Sequence, residues 1–305
     1  MYDLIILGGG PAGTAAAVYA ARKQLKTAIL ANEFAGQSVV SDTIYNWIGT
    51  TEISGVNLAS NLKNHILYYK GPFLDVIEGD KVIKVIKDNN IIEVTTQSGK
   101  SYKSKTLLVS TGSSRRKLEA INADIFEHKG ITYCATCDGP MFGSQDVVVV
   151  GGGNAAFESA FQLLAYCKSV TLIHRRSEFR ADEITVDKIF KDPKFKAILN
   201  ADILKVEGDQ FVKSLTYKDN VTGVVSTIET TGVFVEIGQI PNTSFVKDVV
   251  KIDEFGKIIV DPMTQMTSTP GIWAAGDCTN GKYHQNNIAV GDAVKALEDL
   301  YIWVK

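Results

Sequence analysis

Leu4-Ile5-Ile6-Leu7-Gly8-Gly9-Gly10-Pro11-Ala12-Gly13 is a short apolar run that breaks into glycines and leads into an alanine-rich stretch over residues 14–24. Such a pattern predicts a buried parallel strand, a tight turn and a helix. Residues 25–30 supply the next apolar strand. Strand, glycine turn, helix and strand in that order are the context that makes a glycine pattern a dinucleotide fingerprint. The unit recurs: a strand at Asp146–Val150, the turn Gly151-Gly152-Gly153-Asn154-Ala155-Ala156, a helix over 155–167 and a strand at Ser169–Ile173. The spacing recurs as well, since Gly8 to Ala31 and Gly151 to His174 are both 23 residues.

Each copy runs on into alternating stretches broken by polar turns. Residues 81–85 and 91–96 flank Lys87-Asp88-Asn89-Asn90, and residues 212–217 and 224–230 flank Asp219-Asn220. Both patterns predict antiparallel hairpins or meanders. A chain of 305 residues is longer than one core normally serves. The expected fold class is therefore α/β, with two nucleotide-binding domains. Each would be a parallel sheet with helices plus a small antiparallel sheet. Breakers at Thr111-Gly112-Ser113-Ser114 and at residues 238–243 set the boundaries. Residues 1–112 and 245–305 would form one discontinuous domain, ending in a helix over 286–303, and residues 113–244 the other.

Composition narrows the function class. Hydrophobic residues at 45% and charged residues at 22% describe an ordinary globular chain, and a net charge of −2 provides no broad basic face for nucleic acid. Of four cysteines, Cys167 and Cys278 are isolated in sequence, which is no secreted disulfide framework. Met1 leads straight into an apolar strand with no basic leader, and no apolar run approaches the roughly 18–20 residues that span a bilayer. The expectation is a cytoplasmic protein.

Glycines 8, 10 and 13 would permit a tight turn, close approach of backbone to a pyrophosphate, and close packing of helix on strand. Pro11 and Ala12 would open the helix whose free N–H groups and dipole favour the anion. A ribose-binding acid is expected about 20 residues on. Ala31 stands there, with Asn32 and Glu33 just beyond as candidates for the hydroxyls. In the second copy Gly151, Gly153 and Ala156 make the variant in which alanine replaces the third glycine, with Asn154 and Ala155 between them. The acid position is taken by His174-Arg175-Arg176, followed by Arg180. A carboxylate would repel a 2′-phosphate, whereas arginines present forked donors to a dianion. These residues predict NADPH at the second site, against the alternative of a solvated charge run. Two pyridine nucleotides on one chain would be redundant, so the first site is expected to hold FAD.

Between the two copies lies Cys134-Ala135-Thr136-Cys137, ending fourteen residues before Gly151. Zinc normally needs four ligands, and neither the other cysteines nor His65, His128, His174 and His284 cluster with the pair in sequence. No metal is expected. A redox dithiol is the better reading, with Asp138 carrying the proton that disulfide reduction consumes. Asp138 would also serve as the cap of a helix near Gly139-Pro140. Cys167 reads as a core hydrophobe and Cys278 as structural.

Residues 8–13, Gly36-Gln37, Asn46-Trp47, Thr111-Gly112, 134–140, 151–156, 174–180, Ile237-Gly238 and 267–277 together resemble the low-molecular-weight, bacterial-type thioredoxin reductase family. The likeness is close to the reductase portion of the alkyl hydroperoxide reductase flavoprotein and covers essentially the whole chain. That flavoprotein carries an additional N-terminal thioredoxin-like region, expected to be absent here because the chain starts at the first glycine motif. The resemblance implies FAD in the first domain, NADPH in the second, and a homodimer. It implies that Cys137 faces the flavin, that Cys134 attacks the substrate disulfide, and that Asp138 is the acid–base residue. Gly36, Gln37, Asn46, Thr111 and Gly112 would line the FAD site, and Gly276 and Asp277 would reach the ribityl and phosphate region. Gln285 would bring a helix N-terminus toward the flavin, where a positive dipole end favours the reduced anion. Departures from the family pattern gather in the FAD domain: Ala31, Ala35, Ile48, His284, Asn286 and Asn287.

The activity so implied is reduction of thioredoxin, or of a glutaredoxin-like or peroxidase-associated dithiol protein, by NADPH through FAD and the Cys134/Cys137 pair. Because the dithiol precedes the second glycine turn directly, rotation of the second domain about the two connectors is expected. Three other readings compete. An NADPH–ferredoxin or flavodoxin reductase on the same scaffold would lack the dithiol. A ferredoxin-driven disulfide reductase would not need the arginines. A nucleotide-sensing module would have lost its flavin.

Overall fold

Tyr2–Leu7 (β1) ends in four consecutive buried residues, Leu4, Ile5, Ile6 and Leu7. A strand with no polar face to solvate belongs inside a sheet covered on both sides. The computed structural model describes residues 1–34, 36–41 and 43–305. The chain divides into two units, Met1–Ser114 with Ile240–Lys305, and Arg115–Gln239.

In the first unit β1 is followed by α1 (Pro11–Arg22), β2 (Thr27–Ala31), α2 (Gly55–Tyr68), β3 (Leu74–Glu78), β4 (Val82–Asp88), β5 (Ile91–Thr96) and β6 (Ser101–Val109). α1 starts at Pro11, earlier than the alanine run suggests, because proline's fixed φ suits the first helical position. β1 pairs in parallel with β2 on one side and β6 on the other, and β3 extends the sheet beyond β2. The antiparallel hairpin β4–β5, expected as a separate small sheet, is instead continuous with the parallel one. The cause is the length of β6, whose residues 101–104 pair with β5 and whose residues 104–109 pair with β1.

β7 (Ser113–Arg115) leads out of the first unit. The second contains β8 (Ile131–Thr132), α3 (Ala135–Asp138), β9 (Asp146–Val150), α4 (Asn154–Leu164), β10 (Ser169–Ile173), α5 (Glu183–Ile189) and β11 (Phe195–Ile198). β12 (Ala201–Gly208), β13 (Val212–Asp219), β14 (Val225–Glu229) and β15 (Gly232–Val235) complete it. Its main sheet has the order β11-β10-β9-β15-β8, parallel throughout. Here the antiparallel β12-β13-β14 does form a sheet of its own. The return strand β16 (Gln239–Pro241) neighbours β7. Back in the first unit, β17 (Ile272–Ala274) pairs in parallel with β6, and α6 (Asn286–Val304) ends the chain.

Alanines let α1 and α6 approach closely: Ala12, Ala16, Ala17 and Ala20 share one buried cluster with Ala289, Ala293 and Ala296. Trp273 is fully buried against them, its indole N–H donating to Asp299 at 2.9 Å. Among the described residues no helix is long and apolar enough to cross a membrane.

Candidate functional site

Both glycine turns are built on one backbone contact. A Cβ on Gly8 (φ +110°) would stand 2.3 Å from the Ser110 carbonyl oxygen, and one on Gly151 (φ +151°) 2.3 Å from that of Glu236. Only glycine tolerates that approach. The middle glycines differ in kind. A Cβ on Gly10 would meet only Gly36, at 3.8 Å, and one on Gly153 would meet nothing within 4 Å. The chain therefore leaves open space over both turns, at helices α1 and α4 whose N-caps make no side-chain capping bond. Open space beside free helical N–H groups fits a pyrophosphate at each turn.

In the first unit the predicted residues gather around the start of α1. Gly36 packs on Gly10 and Pro11, and Gly276 on Ala12 and Ala289. Asn32 and Glu33 are exposed just beyond β2, and the Glu33 carbonyl lies under Gly9. Asp277 is half-buried after Gly276. Gln37 donates through Nε2 to the Ser113 carbonyl, next to Gly112. Thr111 Oγ1 donates to the Asn242 carbonyl at 2.6 Å, and Asn242 Nδ2 returns a bond to the Thr111 carbonyl at 3.1 Å. Asn46 donates to Gln285 Oε1 at 3.2 Å. The departures Asn286 and Asn287 acquire partners in this cluster, Ser38 Oγ at 2.8 Å and the Asn46 carbonyl at 2.8 Å. His284 Nε2 is 3.2 Å from Lys257 Nζ, and Ile48 is exposed. Ala35 lies outside the described residues.

In the second unit the predicted nucleotide residues also converge. Arg175, Arg176 and Arg180 are exposed, and the Arg180 N–H donates to the Gly152 carbonyl at 2.7 Å. Ala155 is exposed on the first turn of α4, while Ala156 is buried beneath Gly151. Asn154 Oδ1 accepts from the Asp182 N–H at 2.8 Å. His174, expected among the ligands, is buried directly under Gly152, with Nε2–H donating to the Glu178 carbonyl at 3.1 Å. Burial lowers its pKa, the bond to the Glu178 carbonyl opposes the fall, and the three arginines add to it, so the environment favours the neutral ring that supports the turn.

Cys134 and Cys137 are joined by a disulfide, both half-buried. Cys134 is the N-cap of α3, and the Cys137 N–H donates to its sulfur at 3.2 Å, a contact placed to stabilise negative charge there. Asp138 occupies the N-cap position of the 3₁₀ turn Gly139–Phe142 but makes no side-chain cap bond. Its carboxylate instead accepts from the Thr132 hydroxyl, whose oxygen also lies 3.5 Å from the Cys134 N–H. Burial pushes the Cys167 and Cys278 thiols up to about 11. Among the described residues no group of three or more His, Cys, Asp or Glu side chains is arranged to hold a metal.

Thr132, Ser159 and Glu236 belong to no motif read from the sequence, and Asn242 only to a chain breaker. For Glu236 one signal existed: a lone acid ending the buried run Gly232–Val235. Its carboxyl accepts from Ser159 Oγ on α4 at 2.7 Å. Burial raises its pKa from the ordinary 4.5 to about 7; Ser159 and Arg115 oppose the rise, and Glu158 adds to it. The carboxyl ends of the parallel strands thus carry, in spatial order, the arginines after β10, the glycine turn after β9, Glu236 after β15, and Thr132 ending β8 with the dithiol after it.

A model of the pyridine nucleotide-disulphide oxidoreductase family matches residues 2–293. The F component of the alkyl hydroperoxide reductase of Escherichia coli (strain K12) is 38% identical over 296 residues, covering 97% of this chain and 57% of that protein. A Bacillus subtilis (strain 168) protein named NADH dehydrogenase is 37% identical over 295 residues, with 97% and 57% covered. The chain spans a little over half the length of these curated relatives. Among solved structures, thioredoxin reductase from Streptococcus pyogenes MGAS5005 superposes with a TM-score of 0.90 at 35% identity, covering 100% of this chain and 98% of that one. Thioredoxin reductase from Giardia duodenalis superposes with a TM-score of 0.92 at 29% identity, covering 99% and 98%.

A carboxyl with a raised pKa favours the folded state while it is protonated. Its contribution is complete below the unfolded value of 4.5 and is lost as pH rises through about 7. Glu236→Gln removes the cost of the buried charge. From about pH 5 to about pH 8 the variant should gain on the order of 2 kcal/mol relative to wild type, read by urea unfolding of the unliganded protein. Parallel curves across that range would contradict the assignment.

Proposed function

The chain belongs to the pyridine nucleotide-disulphide oxidoreductase family, and from that membership we propose an NADPH-dependent flavoprotein that reduces the disulfide of thioredoxin or a similar small dithiol protein. Family membership implies FAD and a pyridine nucleotide. The observation that carries the finer reading is one sheet edge of the second unit, which bears an arginine cluster, an open glycine turn and a disulfide. The residues around the first turn, from Gly10 and Gly36 to Asp277 and Gln285, would hold FAD, which when bound supplies the two-electron step between nucleotide and disulfide.

The other roles fall to the chain itself. Arg175, Arg176 and Arg180 take the 2′-phosphate, which a carboxylate in their place would repel. In the reduced pair, Cys134 is the nucleophile and Cys137 the resolving thiol. The Cys134 thiolate attacks one sulfur of the partner's disulfide, forming a mixed disulfide and expelling the other sulfur as a thiolate, to which Asp138 supplies a proton. Cys137 then attacks Cys134, which restores the internal disulfide and releases the second partner thiol. Thr132 orients Asp138 for this work. Relatives named as the F component of alkyl hydroperoxide reductase support a second candidate acceptor, a peroxidase-associated dithiol carrier. A homodimer is proposed with either acceptor.

FAD-loaded protein should reduce one member of a panel of small dithiol proteins with NADPH, and Cys134→Ser should lower that turnover to background. A Cys134→Ser variant that still reduces the acceptor would favour a ferredoxin or flavodoxin reductase. Removing one charge-assisted bond costs about ten- to hundredfold. Arg175→Ala or Arg180→Ala should therefore raise KM for NADPH by that factor and leave KM for NADH unchanged. Equal changes for both nucleotides would remove the assignment.

A further inference from the structure

The two glycine turns of this chain are copies, so their differences isolate what each adds to a shared backbone. The residue following β6 is Ser110, and the residue following β15 is Glu236. Each sets its carbonyl oxygen 2.3 Å from the Cβ position of the first glycine. The fold makes the same demand on both backbones and none on either side chain. Ser110 turns inward, its Oγ donating to the Leu7 carbonyl at 2.8 Å. Glu236 carries a carboxyl fixed by Ser159 Oγ at 2.7 Å. Ser159 stands eight residues after Gly151, and the residue at that offset from Gly8 is Ala16. Carboxyl and hydroxyl therefore occur together, and only at the second turn.

Their position is specific. In an open α/β sheet a ligand lies outside the carboxyl ends of the strands, where the strand order reverses. Here that point falls between β9 and β15. The arginines follow β10 on one side of the turn, and Glu236 follows β15 on the other. A dinucleotide with its 2′-phosphate on the arginines and its pyrophosphate on the turn would extend its nicotinamide half toward β15. That half offers ribose hydroxyls and a carboxamide N–H, donors that a carboxyl oxygen can accept. Ser159 lies on the second turn of α4, deeper than the first-turn N–H groups. It fixes the carboxyl on the β15 side of the glycine turn, the side on which the nicotinamide half would lie.

We infer that Glu236, oriented by Ser159, is a specificity residue of the pyridine-nucleotide site and accepts a hydrogen bond from the nicotinamide carboxamide. The inference rests on assigning the second turn to a pyridine nucleotide. Glu236→Ser is the apt variant, because Ser110 shows that this backbone accepts serine.

Isothermal titration of the FAD-loaded full chain would compare three probes: NADP⁺, its 3-acetylpyridine analogue, which lacks the amide N–H, and 2′,5′-ADP. Glu236→Ser should weaken NADP⁺ by about tenfold. It should leave the analogue and 2′,5′-ADP within about twofold of wild type. Glu236→Gln, which keeps an acceptor oxygen, should stay within about threefold for all three. Equal weakening of NADP⁺ and the analogue, or no weakening of NADP⁺, overturns the inference alone. A wild-type protein that binds neither NADP⁺ nor 2′,5′-ADP overturns the nucleotide assignment and this inference with it.

Discussion

A backbone carbonyl pressed against a glycine is the constraint on which the rest of this molecule depends. At Gly8 the oxygen is that of Ser110, at Gly151 that of Glu236, and neither position has room for a side chain. The contact joins the end of one parallel strand to the end of its neighbour and fixes the direction in which the helix leaves. Once α1 and α4 start there, their free N–H groups face space that Gly10 and Gly153 keep open. The buried strands make the contact possible, and the open cradles are its consequence.

From this constraint the second unit acquires an ordered edge. Because β10, β9, β15 and β8 all run in one direction, the residues following each fall along one rim. The arginines, the glycine turn, Glu236 and the Thr132–Cys134 segment come from distant parts of the sequence and are brought side by side by strand order alone. Thr132 connects rim to chemistry, since its hydroxyl links Asp138 to the backbone of Cys134.

What the sequence made legible was local. β5, β9 and β10 have the bounds read for them from the sequence, because each is a short segment bounded by turns of glycine or polar residues. The dithiol and both turns were likewise readable, since their chemistry resides in consecutive residues. What escaped depends on pairing at long range. The fusion of the β4–β5 hairpin to the first parallel sheet follows from one strand serving two neighbours, which no periodicity records. The Ser159–Glu236 bond spans 77 residues and the Asn46–Gln285 bond 239. Asn286 and Asn287 read as departures from a family pattern, yet each has a polar partner across the first unit. His174 shows the converse case, a residue read beside the arginines whose ring is buried under Gly152.

The central claim is that electrons from a reduced pyridine nucleotide reach the Cys134–Cys137 disulfide of the same protein. Anaerobic alkylation followed by peptide mass analysis tests it without any partner present. The account predicts that Cys134 and Cys137 become alkylated when NADPH is added to FAD-loaded protein, and remain a disulfide when either FAD or NADPH is omitted. A pair that stays oxidised with both present, while the flavin itself is bleached, would contradict it.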